Sequence, residues 1–341
     1  MGCASRRVEI CRQRVPERSH PFWEDIMKTL FRLSVAGLLL ASASAFAQDA
    51  APGTAKKDSY RFVIVPKVVH PWFDKVNDGA KQAAAAIEAQ TGSKVVIEYS
   101  APQQADVVQQ NQILESSIAT RPDGIAIDLL DPAGNRAPLE DAVGQGIPVT
   151  IFDSVAPEGM ELTSIGNDFC EQASIASRRL IELLGAEGGE VAIMMGVPTA
   201  PNHAIRAECH QKVFAENSKI KVVATGIDND DIETAQKQAA AIMQANPNLK
   251  GWVASDAAGP IGIGQAIKEA GKTGTVKLVG LDDLPEMIQL IKDGVADSSS
   301  STKPEMQGYW SVMTMWQKAT GIETPKYIDT GIAVLTPDNV K

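Results

Sequence analysis

The stretch Glu190-Val191-Ala192-Ile193-Met194-Met195 is a short apolar run that begins at a single acidic residue. Such a run is typical of a strand covered on both faces, because a strand with one face in water alternates apolar and polar residues. Similar short runs recur along the chain and are separated by alanine-rich stretches with helical spacing. The predicted strands are 61–65, 94–99, 124–128, 148–153, 164–166, 190–195, 221–227, 251–255 and 276–280.

The regular alternation of strands and helices predicts the fold class. The predicted helices are 73–91, 105–120, 137–145, 170–184, 204–217, 231–246, 259–270 and 284–293, with a further helix at 309–320 and a strand at 326–334. A repeated β-α order indicates parallel sheets with right-handed crossovers. The number of strands exceeds one comfortable core, so we predict an α/β protein with two doubly wound parallel-sheet lobes.

Composition and charge exclude several classes of function. The chain has 341 residues, of which 44% are hydrophobic, and a net charge of −10, which argues against a nucleic-acid partner. No Gly-x-Ser-x-Gly motif or phosphate-binding loop occurs, and the glycines at 259, 262 and 264 do not have dinucleotide-fingerprint spacing. His203 and His210 lack a third ligand at a recognisable spacing, so we predict neither a metal nor a cofactor.

The N-terminal residues predict export from the cytoplasm. Residues 27–47 have a basic start, an apolar segment too short to span a bilayer, and the small-residue ending Ala45-Phe46-Ala47, as in a cleaved signal peptide. We interpret residues 1–26 as an upstream extension from a mis-assigned start, and we expect a periplasmic protein. Two cysteines remain after cleavage, Cys170 and Cys209, and they are either a disulfide or two free thiols.

Candidate site residues follow the predicted strands. In open parallel sheets ligands bind beyond the carboxyl ends of the strands, so the residues just after each strand are the candidates. They are Lys67, His70, Trp72, Phe73, Asp128, Asp153, Asn202, His203, Arg206, Asp256, Asp282 and Thr302. Carboxylates accept protons from hydroxyl groups, the basic and amide side chains donate to hydroxyl oxygens, and an aromatic face covers C–H groups. The set predicts a site for a small, neutral, polyhydroxylated ligand.

Several short motifs, in their order and spacing, resemble a known family. They are Val69-His70-Pro71-Trp72-Phe73 with Gly79-Ala80, Gly146-Ile147-Pro148-Val149 with Asp153, Ala254-Ser255-Asp256, and Val279-Gly280-Leu281-Asp282. Over about residues 60 to 335 the chain resembles the type I periplasmic solute-binding proteins of the ribose, galactose and autoinducer-2 class. The resemblance implies two lobes, an interlobe ligand site, no catalysis and a membrane permease of the ABC importer class as partner.

The resemblance also implies contact roles for individual residues. It assigns first-lobe contacts to His70, Trp72, Phe73, Asp128 and Asp153. The second-lobe and hinge contacts that it implies are Asn202, His203, Arg206, Asp256, Asp282 and Thr302. Ser154 stands where ribose binders have an arginine and His70 where they have an asparagine, and both departures weigh against ribose itself. Pentoses, hexoses and sugar alcohols all stay open.

We therefore expect a monomeric solute-binding protein that captures a sugar or sugar alcohol for an ABC importer. The expected first lobe is 58–156 plus 304–325, the second is 160–300 plus 329–341, and the chain crosses between them three times. Two alternative functions stay open. One is a periplasmic sugar sensor for chemotaxis or for a histidine kinase, and the other is a secreted carbohydrate-active enzyme. Hinge closure around a ligand would serve transport and sensing alike.

Overall fold

The computed structural model describes residues 57–340; the predicted signal peptide and upstream extension lie outside the described residues. The first half contains the following elements: β1 (Ser59–Val65), α1 (Pro71–Thr91), β2 (Lys94–Tyr99), α2 (Val107–Ala119), β3 (Gly124–Ile127), α3 (Arg136–Gly144), β4 (Val149–Phe152), β5 (Thr163–Gly166), α4 (Phe169–Leu184) and a 3-10 turn (Gly185–Glu187). The second half contains β6 (Gly189–Met195), α5 (Pro201–Ala215), β7 (Ile220–Ile227), α6 (Ile232–Ala245), β8 (Leu249–Ala254), α7 (Ala258–Glu269), β9 (Lys277–Leu278), α8 (Pro285–Lys292), β10 (Ser299–Ser301), α9 (Pro304–Ala319), β11 (Tyr327–Asp329) and β12 (Ala333–Leu335).

These strands form two parallel sheets and one antiparallel pair. The first sheet has the order β11-β5-β4-β3-β1-β2, and the second has the order β7-β6-β8-β9. Every pairing within the two sheets is parallel, while β10 pairs with β12 in the antiparallel sense. This confirms the predicted α/β class with two parallel sheets. The predicted lobe boundaries stay a prediction. Strand β5 (Thr163–Gly166) belongs to the first sheet, although its residues fall within the range expected for the second lobe, and β11 belongs to the first sheet as well.

Both sheets are covered on their two faces, as the apolar runs predict. Along β6, Ala192 and Met194 pack into one apolar cluster, whereas Val191 and Ile193 pack into another. In β1 the residues Phe62 and Ile64 likewise belong to a different cluster from Val63 and Val65. Successive side chains of a strand point to opposite faces, so the division into two clusters shows helices or loops packed on each side.

The C-terminal quarter differs from the prediction in two places. Three consecutive serines form β10, which has no apolar pattern and becomes a strand because β12 supplies its hydrogen-bond partners. The single strand predicted at 326–334 is divided into β11 and β12, which lie in different sheets. The division occurs at Gly331, which has a φ of 71°, a conformation that interrupts an extended strand.

None of the helices described over 57–340 has the length and apolar character needed to cross a membrane.

A close crossing of α1 and α9 sets the position of both helices. A Cβ atom on Gly79 would lie 1.9 Å from the carbonyl oxygen of Glu305, and one on Gly308 would lie 1.9 Å from that of Val76. The backbones of the two helices therefore approach to a distance that only glycine permits at these two positions. This contact anchors α1, whose N-terminus carries candidate site residues.

Replacing Gly79 with alanine should therefore separate α1 from α9. We expect Gly79→Ala to lower the free energy of unfolding by about 1–3 kcal/mol, since overpacking a tight contact forces the backbone to shift. The matched control is Gly144→Ala at the end of α3, where a Cβ meets nothing within 4 Å. Urea unfolding of both variants tests this, and equal stability of the two would contradict the tight crossing.

Candidate functional site

The strand ends and the N-terminal turns of α1 and α5 bring most of the predicted residues around one small cavity. One side of it, called the first wall here, consists of residues from the first-sheet side: Lys67, His70, Trp72, Phe73 and Asp153. The remaining lining residues, which come from the second-sheet side and are called the second wall, are His203, Arg206, Asp230, Asp256, Ala257 and Asp282. The free space between the walls is about 10 Å³, which is comparable to one water molecule. A larger ligand therefore requires the walls or their side chains to move apart.

The structure places three predicted residues behind the cavity rather than in its walls. Asp128 is fully buried and pairs with Lys67 at 2.9 Å. Asn202 is also fully buried, and Thr302 is buried beside Asp282 and Trp72. These three side chains hold wall residues in place through hydrogen bonds and an ion pair. The binding roles of all twelve predicted residues stay predictions.

The N-terminus of α1 presents the aromatic part of the first wall. Pro71 occupies the first turn and His70 caps the helix, its Nδ1 accepting a hydrogen bond from the Trp72 backbone N–H at 3.2 Å. The Trp72 and Phe73 rings meet edge to face with their centroids 5.0 Å apart. Trp72 Nε1 donates to Thr302 Oγ1 at 3.0 Å, which fixes the plane of the indole ring.

Asp153 is one of the residues through which the two walls contact each other. It follows β4 with a φ of 44°, an uncommon conformation for a residue with a side chain. Its Oδ2 accepts a hydrogen bond from Asn202 Nδ2 at 2.6 Å, and its Oδ1 lies 3.5 Å from Arg206 Nη2. Lys67 Nζ lies 3.8 Å from the same carboxylate. Asp153 thus contacts cations and an amide from both sides of the cavity.

Lys67 is a buried cation held between carboxylates. Its Nζ donates to Asn202 Oδ1 at 3.2 Å, and it also faces Asp128 and Asp153. Burial lowers the pKa of Lys67, but the charges of Asp128 and Asp153 outweigh this effect and raise the pKa above its ordinary value. Lys67 therefore stays protonated and presents hydrogen-bond donors at the cavity.

Arg206 is held in one orientation by two hydrogen bonds and a contact with an aromatic ring. Its Nε donates to Gln172 Oε1 at 3.0 Å, and its Nη1 donates to the carbonyl oxygen of Ser255 at 3.2 Å. The guanidinium lies 4.8 Å from the centre of the Phe169 ring, a cation–π contact. Within the described residues Nη2 has no hydrogen-bond partner, although it lies 3.5 Å from Asp153 Oδ1.

A disulfide between Cys170 and Cys209 connects the helices that carry these groups. Cys170 lies in the first turn of α4, next to Phe169 and close to Gln172. Cys209 lies in α5, three residues after Arg206. The covalent link joins the helix that supplies Arg206 to the helix that supports its guanidinium.

His203 is a neutral imidazole in the second wall. Its Nδ1 accepts a hydrogen bond from the Val197 backbone N–H at 2.9 Å, so the ring proton is assigned to Nε2. Burial, followed by the charges of Lys67 and Arg206, lowers the pKa of His203 well below its ordinary value. The residue adds one neutral N–H donor.

The second wall contains an acidic group that the sequence interpretation missed. Asp228 and Asp230 follow β7, and both interact with Asp256. The Oδ2 of Asp256 accepts hydrogen bonds from the backbone N–H groups of Ala258 and Gly259. Their position just after β7 could have identified them, because the other candidates were chosen for following the carboxyl ends of parallel strands. The sequence interpretation also missed Gln172, which accepts a hydrogen bond from Arg206 Nε, and Gln307, whose Nε2 lies 3.5 Å from Asp153 Oδ1.

Burial raises the pKa values of several of these carboxyl groups. Desolvation, followed by the negative charge of Asp230, raises the pKa of Asp228 to about 8. Desolvation also raises the pKa of Asp282 to about 7, although Arg206 and the Thr302 hydroxyl oppose the shift. Both groups therefore change protonation near neutral pH, unlike carboxyl groups in water.

Among residues 57–340, no group of three or more His, Cys, Asp or Glu side chains has the arrangement needed to hold a metal ion.

These raised pKa values predict a protein that loses stability as pH rises from 6.5 to 8.5. Up to about pH 7 for Asp282 and about pH 8 for Asp228, the folded protein keeps protons that these carboxyl groups have already lost in the unfolded chain, and the loss of stability levels off above these values. The folded state therefore binds more protons, and each group lowers the free energy of unfolding by up to about 1.4 kcal/mol per pH unit.

Thermal unfolding across this pH range, for wild type and two variants, measures the effect. Asp228→Asn should flatten the dependence, because the amide does not titrate. Asp78→Asn is the control, since the Asp78 side chain is 65% exposed on α1, and it should keep the wild-type slope. A melting temperature that stays constant or rises with pH contradicts the buried protonated carboxyl groups.

Comparison with known proteins identifies the family. The family described as periplasmic binding protein domain matches residues 61–323. The xylose/arabinose-binding protein XylF of Sulfolobus acidocaldarius is 25% identical, over 83% of this chain and 72% of its own length. The D-allose-binding periplasmic protein of Escherichia coli is 27% identical, over 71% of this chain and 78% of its own length.

A solved structure shows the same similarity in three dimensions. An ABC transporter solute-binding protein of Burkholderia graminis, in complex with D-arabinose, superimposes with a TM-score of 0.77 at 30% identity, covering 83% of this chain and 98% of its own. These similar proteins are binding proteins and not enzymes, which confirms the expectation that no reaction is catalysed. The chain belongs to the type I periplasmic binding proteins.

Proposed function

We propose that this protein binds a sugar or sugar alcohol in the cavity between the two walls and delivers it to an ABC import permease. The observation that carries the proposal is the convergence on Asp153: Asn202 and Arg206 from the second-sheet side, and Lys67 from the first, all face one carboxylate. Asp153 and Asp256 line the same cavity, although they follow strands of different sheets.

The chemistry of the walls supports a neutral polyhydroxylated ligand. Four carboxyl groups line the cavity, Asp153, Asp230, Asp256 and Asp282, against the two cations Lys67 and Arg206. This excess of carboxyl oxygens disfavours phosphates and carboxylates but accepts hydrogen bonds from hydroxyl groups. Arg206 Nη2 and Lys67 Nζ donate to hydroxyl oxygens, while the indole of Trp72 covers C–H groups.

The names of the similar proteins agree with this chemistry. XylF is described as binding xylose and arabinose, the Escherichia coli relative as binding D-allose, and the Burkholderia graminis structure contains D-arabinose. All of these are neutral molecules with several hydroxyl groups. The similar proteins bind different sugars, which agrees with a family in which the arrangement of hydrogen-bond donors and acceptors in the cleft selects the ligand.

Ligand capture would proceed by closure of the two walls. With about 10 Å³ free between them, the walls must separate to admit a sugar and come together around it. A ligand that contacts both walls stabilises the closed form because it gains contacts there that the open form lacks. The three chain crossings predicted at 156–162, 301–304 and 325–329 would act as the hinge, and the permease would recognise the closed shape.

The central role of Asp153 gives a direct test. A thermal-shift screen of aldoses and alditols first identifies a ligand, since a compound that binds only the folded state raises its melting temperature. We then expect Asp153→Asn to weaken binding of that ligand at least tenfold, or about 1.4 kcal/mol, by isothermal titration calorimetry. Asparagine also adopts the left-handed conformation required at this position, so the variant should fold.

Asp78→Asn is the matched control, because it removes one carboxylate from the exposed face of α1. Its affinity should equal that of the wild type. If the affinity of Asp153→Asn changes less than threefold, Asp153 is not the centre of the site. If no aldose or alditol shifts the melting temperature, the proposed ligand class is wrong.

A further inference from the structure

We propose that the disulfide between Cys170 and Cys209 positions Arg206 for ligand binding, so that breaking the disulfide weakens binding in a protein that is still folded. Neither cysteine lines the cavity, so both act on a ligand through the Arg206 guanidinium. The inference rests on the proposed function, in which Arg206 donates hydrogen bonds to the ligand, and it adds a covalent support outside the cavity.

The first turn of α4 supplies two of the three contacts that orient Arg206 from its own side of the cavity. Arg206 Nε donates to Gln172 Oε1 at 3.0 Å, and the guanidinium lies 4.8 Å from the centre of the Phe169 ring. Phe169 is the first residue of α4 and Gln172 the fourth, whereas the third partner, the carbonyl oxygen of Ser255, follows β8. A long, flexible side chain keeps one orientation only while such partners stay in place.

Gln172 makes hydrogen bonds that require one position of this turn. Its side chain is fully buried. Its Oε1 also accepts from Asn167 Nδ2 at 3.0 Å, and its Nε2 donates to the carbonyl oxygen of Ser300 at 3.0 Å. Hydrogen bonds weaken steeply as their distance and angle depart from the optimum. A shift of the first turn of α4 relative to α5 would therefore disturb the bond between Gln172 and Arg206.

The disulfide fixes this turn to α5 at the level of Arg206. The first turn of a helix is its least secured part, because its first backbone N–H groups have no partner within the helix. Cys170 is the second residue of α4, between Phe169 and Gln172, and Cys209 follows Arg206 by about one helical turn. The covalent bond thus holds the supporting turn against the helix that carries the guanidinium, and it reduces the freedom that Arg206 loses when a ligand binds.

The disulfide also stabilises the fold as a whole, and this effect must be separated from positioning. It joins residues that are 39 positions apart, so it restricts the unfolded chain. A lower melting temperature without the disulfide is therefore expected whether or not the disulfide positions Arg206. The decisive measurements are the mobility of the Arg206 side chain and the ligand affinity, both taken well below the melting temperature.

The test compares the wild-type protein with the double variant Cys170→Ser/Cys209→Ser. Nitrogen-15 NMR measures hydrogen exchange at Arg206 Nε–H, whose signal is assigned by its absence in Arg206→Lys. We expect this exchange to be at least tenfold faster in the double variant, because local opening of the supporting turn exposes the group to water. Isothermal titration calorimetry with D-xylose, D-arabinose and D-allose should show at least fivefold weaker binding of each sugar that binds the wild type.

Leu180→Ala is the control for stability alone. Leu180 is a fully buried residue in the middle of α4, so its truncation leaves a cavity and lowers the melting temperature. It lies two turns beyond the residues that support Arg206, and the disulfide stays intact. Both the exchange at Arg206 Nε–H and the sugar affinities of this variant should stay within twofold of the wild-type values. Where the double serine variant does not fold, Cys170→Val/Cys209→Ala, which keeps apolar packing between the helices, replaces it.

Three outcomes overturn the inference. Wild-type exchange and affinity in a folded variant without the disulfide show that the disulfide does not position Arg206. Faster exchange with unchanged affinity shows that the orientation of Arg206 does not matter for binding. Equal losses in Leu180→Ala show that the effect follows from stability alone. If none of the three sugars binds the wild type, that result counts against the proposed function, and the exchange at Arg206 Nε–H decides by itself whether the disulfide positions the side chain.

Discussion

The buried charge cluster of Lys67, Asp128, Asp153 and Arg206 is the interaction on which the site depends. Removing a charge from water is costly unless opposite charges and hydrogen bonds compensate. Here each charged group has a partner: Lys67 lies 2.9 Å from Asp128, and Arg206 lies 3.5 Å from Asp153. Because the partners come from both walls, the compensation depends on the two walls being in contact, as they are in this structure.

This arrangement makes the cavity responsive to what lies in it. In the proposed opening, separation of the walls would take Asp153 away from Asn202 and Arg206 and let water solvate all three groups. Closing them without a ligand replaces that water with direct contacts, whereas a polyol would interpose its own hydroxyl groups between the same side chains. The balance between open and closed forms therefore depends on how well a ligand replaces the hydrogen bonds that the walls make to each other.

Much of the fold could be predicted because its strands are short, apolar and buried on both faces. All nine predicted strands before residue 290 are present, and their order in the chain implied parallel sheets. The rule that parallel strands end at a common edge then located nine of the cavity-lining residues. The failures have physical reasons too: the serines of β10 have no apolar pattern, and Asp230 reaches the cavity through a turn whose left-handed conformation is not visible in residue types.

Residue types and their spacing were sufficient for the fold class, for the strand-end candidates and for the acidic composition of the cavity lining. They could not show which candidates touch the cavity and which support them from behind, as Asp128, Asn202 and Thr302 do. That distinction depends on side chains far apart in the chain, such as Gln172 under Arg206 or Thr302 beside Trp72. Such contacts arise only when both sheets and their helices are packed together. They could not be predicted, because the residues near each partner in the sequence do not show which distant residue it will contact.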